Sequence, residues 1–115
     1  FVEDKKAIAE QRIMEASQKC NERILGGFDS NCLGETKHFD CAMTDQASIQ
    51  GLALTAIMGL QGLTTEETHW KGSGELECYN FKYTQILQLA NDLKRHIENN
   101  INQFNSERLA ILGGE

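Results

Sequence analysis

Gly26–Gln46, GGFDSNCLGETKHFDCAMTDQ, together with the Ala47–Leu60 run ASIQGLALTAIMGL that follows it, decides the fold. Gly26 and Gly27 end a helix, because glycine takes the left-handed conformation of a helix C-cap without steric cost. Phe28 to Glu35 reads as a turn rich in Gly, Asp, Ser and Asn. His38 to Ala42 then alternates, with Phe39 and Cys41 on one face and His38 and Asp40 on the other, which predicts a short strand. Thr44 or Asp45 caps a new helix, so the chain doubles back within this run. Gly27, Asp45 and Gln46 are the candidate turn and cap residues. Nothing here forms a recognisable set of reacting groups.

Upstream, the spacing predicts a helix over about Glu3–Leu25. Ala9, Ile13, Ala16 or Ser17, Cys20 and Ile24 recur at three- and four-residue steps, leaving charged side chains opposite. Acidic Glu3 and Asp4 suit the first turn, where the helix dipole favours them. The stripe is thin and rich in alanine, which fits close packing on one neighbour or continuation of an upstream coiled segment. The chain opens on Phe1 rather than Met, which points to a piece of something longer or a processed product. We read residues 1–115 as one domain, with 1–26 as its N-terminal helix and 27–115 as its core.

Downstream, Ile49, Leu52, Ala53, Ala56, Ile57 and Leu60 give the cleanest helical stripe, broadened by Leu54 and Met58. This central helix is expected to be the most buried. Gly62 ends it. Between Thr68 and Phe81 the sequence predicts a hairpin turning through Gly72-Ser73-Gly74, with Lys71 opposite Glu75, Trp70 opposite Leu76 and His69 opposite Glu77. A long helix over about Thr84–Leu112 carries Ile86, Leu89, Leu93, Ile97, Ile101, Phe104 and Ile111. Asn99, Asn100, Asn102 and Asn105 are modest helix formers, so tertiary or intersubunit packing must hold its middle. The expected class is α+β: three helices, two long and one central and buried, with a small antiparallel hairpin or three-stranded sheet. The expected core is Ile13, Cys20, Ile49, Leu52, Ile57, Trp70, Leu89, Leu93 and Ile97.

Composition narrows the function classes. A hydrophobic share of 40% with 24% charged residues is that of a folded domain. A net charge of −6 argues against nucleic acid, since phosphate binding needs clustered Lys and Arg. No apolar run reaches the roughly 20 residues of a membrane span. Cys20, Cys32, Cys41 and Cys78 are unevenly spaced and form no CxxC pair, so free thiols in a reducing compartment are expected. A Cys41–Cys78 bridge between neighbouring strands is the alternative.

Reactive groups do not converge. His38 and Cys41, three apart in one strand, point to opposite faces, which disfavours a zinc site with His69 and Cys78. His96 lies on the long helix beside Ile97 and reads as a boundary residue between core and surface. No glycine elbow precedes a cysteine, the acids are scattered over helix exteriors, and no glycine run matches a phosphate loop. The expectation is a protein without catalytic residues, metal or cofactor. Trp70 reads as an anchor holding the hairpin to the helices.

Taken together, ILGGF, DS, Leu33-Gly34, the strand HFDCA, Asp45-Gln46 with Ile49 and Gly51, the tryptophan hairpin and the long last helix resemble a family of small bacteriophage tail domains. Such domains are found in or beside tail-fibre and baseplate proteins. The resemblance runs from about Met14 to Leu112, with GFDS (Gly27–Ser30) among its most specific parts. Ser48 stands where family members tend to carry Asn. The resemblance implies a non-enzymatic virion protein at the tail tip, baseplate or fibre attachment point, made in the host cytoplasm. It implies other tail proteins as partners and a trimer or hexamer, with contacts on the first helix and the Asn-rich middle of the last. Rival readings are a module that binds a host glycan or receptor through Trp70 or Tyr79, and an assembly chaperone absent from the finished particle.

Overall fold

A computed structural model describes residues 2–114. Along the chain lie α1 (Val2–Leu25), β1 (Phe28–Ser30), β2 (Lys37–Phe39), α2 (Met43–Leu60), β3 (Thr68–Trp70), β4 (Tyr79–Phe81) and α3 (Tyr83–Gly113). The class is α+β, with three helices and two small antiparallel sheets.

The 31-residue α3 is the spine, about 46 Å long at the α-helical rise. Both other helices run antiparallel to it, end to end. His96 of α3 meets the Ile24 carbonyl, and Cys20, one turn earlier in α1, meets that of Asn100, one turn later in α3. Gly59 of α2 lies against Tyr83, and Gln50 shares a groove with Leu93 and Lys94. Thus α2 covers the first half of α3 and α1 the second, and the molecule extends over 64 × 29 × 22 Å.

The core lies at the α2 end. Phe39, Ile49, Ile86 and Leu89 are fully enclosed, joined by Phe28, Cys32, Cys41, Ala56, Phe81 and Leu93. Phe28 and Phe39 stack with ring centroids 5.8 Å apart, pinning the first hairpin under α3. At the α1 end only a seam is buried, made by Ala9, Ala16, Cys20 and Ile111. Of the expected core residues, Cys20, Ile49, Leu89 and Leu93 are buried, and Ile13, Leu52, Trp70 and Ile97 are half-buried.

Ile57 is a correction: it is 45% exposed. So is the burial of α2 as a whole. Its inner face, from Ile49 through Leu52 to Ala56, meets α3, while Leu54, Ile57 and Met58 turn outward on the far side. The central, most enclosed helix is the first half of α3, which receives α2 and both hairpins.

Phe28 to Ser30, expected as part of a turn, pairs with β2 in the register Phe28↔Phe39, Asp29↔His38, Ser30↔Lys37. The predicted strand at His38–Ala42 therefore begins one residue earlier and ends at Phe39, although Cys41 is buried as expected. The second hairpin also differs. Its register is Thr68↔Phe81, His69↔Asn80, Trp70↔Tyr79, with residues 71–78 forming the loop. Burying Phe81 decides this, with Thr68 buried opposite and its hydroxyl donating to the Phe81 carbonyl at 2.7 Å. Leu76, expected to face Trp70, is 96% exposed. Gly72 and Ser73 instead dock on the other sheet: Ser73 N–H donates to the His38 carbonyl at 2.8 Å, and its hydroxyl to Asp40 at 2.6 Å. That bridge takes the place of a third strand.

Candidate interaction surface

The turn and cap residues build the frame around α2. Gly27 has φ +98°, and a Cβ there would lie 2.2 Å from Nε2 of His38 and 2.7 Å from the Phe39 carbonyl oxygen. His38 fills that space, bonding Asp29 at 2.8 Å through Nδ1 and the Gly26 carbonyl at 2.9 Å through Nε2. Both partners are acceptors, so it is the doubly protonated ring that satisfies both bonds at once. The Asp29 bond, then the Gly26 bond, hold the His38 pKa above its ordinary value. A cation just past the end of α1 also suits the helix dipole.

Asp45 works from inside α2 rather than at its cap position. Ala42 is the cap, and the Asp45 carboxylate accepts its N–H at 3.0 Å while Gln46 donates to the Cys41 carbonyl at 3.0 Å. The Asp45-Gln46 pair thereby satisfies one backbone donor and one backbone acceptor at the entry to α2. Ser30 ties the first hairpin to α3 through Asp92 at 2.5 Å.

The residues considered for a metal stay apart. His38 is engaged as above, His69 pairs with Glu67 at 3.2 Å, Cys41 is buried and Cys78 is exposed. All four cysteines are free. Among the described residues no group of three or more His, Cys, Asp or Glu is placed to hold a metal ion, and no helix is long and apolar enough to cross a membrane. Trp70 packs on the core edge, and Lys37 covers one face of Tyr79, with Nζ 4.7 Å from the ring centre. In the Asn-rich middle of α3, Asn100 is engaged internally, its side chain accepting from Arg23 at 2.8 Å and donating to the His96 carbonyl, while Asn99 and Asn102 are exposed.

The surface feature that remains is the outer face of α2. Met43, Ala47, Gln50, Leu54, Ile57 and Gln61 recur at alternating four- and three-residue steps and all are exposed. This is the seam spacing of paired helices. No charged residue occurs between Asp45 and Glu66. A helix apolar on both sides is normally covered on both. The missing charge was the available sequence signal, and reading it as deep burial missed the second face. Beside the stripe runs a groove of about 390 Å³ floored by Ala90, Leu93 and Ile97, with Gln50 on one wall and Lys94 and Glu98 on the other. A smaller hollow of about 260 Å³ lies between Glu66, Thr68, Phe81 and Tyr83. The exposed apolar residues of the α1–α3 arm, Ile8, Met14, Leu25, Ile101, Leu109 and Leu112, are interspersed with charged and polar side chains, unlike the uncharged face of α2.

No curated protein and no solved structure matches the chain. A family model does, over residues 7–112, from the first turns of α1 to the last of α3. The chain belongs to the family described as Domain of unknown function (DUF4376).

Proposed function

We propose that this chain is a non-enzymatic assembly module of a bacteriophage tail, a structural or adaptor domain at the tail tip, baseplate or fibre attachment point. The observation that carries the reading is the uncharged outer face of α2, which leaves Met43, Leu54, Ile57 and Met58 in water. A contiguous apolar line of this kind marks an interaction site. The tail assignment rests on the sequence words GFDS, Leu33-Gly34 and Asp45-Gln46 and their resemblance to tail-associated domains. Its partners are then other tail proteins, its state a homo-oligomer such as a trimer or hexamer, and its place the virion.

Mass spectrometry of virions purified from the phage that encodes the chain tests this. Peptides of the chain are expected at abundances comparable to known tail components. Their absence from particles, with the protein present in the infected-cell lysate, overturns the reading.

A further inference from the structure

The geometry points to a second copy of this chain as the occupant of the α2 outer face, packed antiparallel about a twofold axis at Leu52. Three observations carry it. The first is charge. A chain of net charge −6 repels its own copies, and a twofold contact sets the same patch against itself. The outer face of α2 contains no charged side chain, so it can meet itself without burying like charges.

The second is register. The outward residues are spaced symmetrically about Leu52, so an antiparallel copy sets Ala47 opposite Ile57, Gln50 opposite Leu54 and Met43 opposite Gln61. Each pair combines a small or polar side chain with a large apolar one, which lets the two ridges interdigitate. Gln50 also walls the groove floored by Leu93 and Ile97, so the second copy's Leu54 falls at the rim of an apolar hollow.

The third is area. Leu54 is 60% exposed and Met43 71% exposed. With Ala47, Gln50, Ile57, Met58 and Gln61, complete burial of the face would remove at most about 600 Å² per copy, or about 1,200 Å² for the pair, which reaches the lower bound of a specific interface. The contact forms from one polypeptide, without other tail components, and stands apart from the tail reading.

Light scattering after size exclusion tests it, loaded at about 100 µM, where a micromolar contact of this size is largely formed. The wild-type chain is expected to run as an even number of copies. Leu54→Asp and Ala47→Glu should each halve that number, with helical circular dichroism unchanged because both positions face water. Leu109→Asp, on the far arm, should leave the mass as in wild type. A wild type that is monomeric or holds an odd number of copies, such as a trimer, overturns the proposal, as does a folded Leu54→Asp or Ala47→Glu protein that keeps the wild-type mass, or a loss of association on Leu109→Asp. None of these outcomes bears on the presence of the chain in virions.

Discussion

Gly27 and His38 occupy one space: a Cβ on the glycine would sit 2.2 Å from the imidazole Nε2. The imidazole could swing away, but the Phe39 carbonyl, 2.7 Å from the same point, is held in the β1–β2 hairpin. Gly34, with φ +102°, has open space around it. Gly34→Ala is therefore expected to cost only backbone strain, about 1–3 kcal/mol. Gly27→Ala should cost more, because displacement of β2 adds to the same strain. Urea midpoints of the two variants check the order, and equal losses would refute the shared-space account.

The double donation by His38 makes stability depend on pH. Its folded pKa is raised by the Asp29 bond and then by the Gly26 carbonyl. A raised value means that the folded state holds its proton more tightly than the unfolded chain. The contribution is complete below the unfolded value of about 6.5 and is lost as pH rises through the folded value. The gap in stability between wild type and His38→Gln should therefore be widest near pH 6 and shrink toward pH 8. With half the ring exposed, added salt should narrow the gap. A gap that widens with pH would reverse the assignment.

Thiol chemistry separates the cysteines. Burial, the larger influence, lifts the Cys32 and Cys41 thiols above their usual pKa, and Cys20 is enclosed and donates to the Asn100 carbonyl. Cys78 alone lies exposed, in the 71–78 loop. A thiol reagent at neutral pH is expected to titrate one sulfhydryl quickly and the other three only on unfolding. Cys78→Ser should abolish the fast phase. A fast phase that survives this change would place another cysteine at the surface.

Much of this architecture was legible in the sequence where it depends on local chemistry. The apolar period and the glycine pairs placed α1 and α3 within a residue or so of their observed ends, because helix period and C-cap conformation are properties of neighbouring residues. The tryptophan hairpin was legible as an element but not in register. Lys71 and Glu75 suit a tight turn, yet Glu75 pairs with Lys37 at 3.3 Å and accepts the Tyr79 hydroxyl. Those partners are set by the docking of Ser73 on β2, which no local pattern contains. The same holds for α2. Its composition says that two faces are apolar, whereas the presence of only one covering helix follows from α1 being placed further along α3. The candidate surface was thus written in the sequence as an absence of charge, with its direction fixed only by the tertiary arrangement.

Asn100 tests how the second half of α3 is held. Its side chain accepts from Arg23 Nε, its amide donates to the His96 carbonyl, and its own carbonyl accepts from the Cys20 thiol. The Arg23 guanidinium otherwise has only a 3.7 Å ion pair with Glu107, and its terminal nitrogen there is buried without a hydrogen bond. Asn100→Ala removes the one close acceptor of that guanidinium, so about 1–3 kcal/mol should be lost. Because α1 packs only on this half of α3, the loss should be local. Hydrogen exchange is expected to speed up in α1 amides while those around Ile49, Ile86 and Leu89 stay protected. Asn99→Ala, on an exposed position, should leave both regions as in wild type. Equal loss of protection in α1 and in the α2–α3 core would show that the two halves of the spine unfold together, and that Asn100 has no separate role in holding α1.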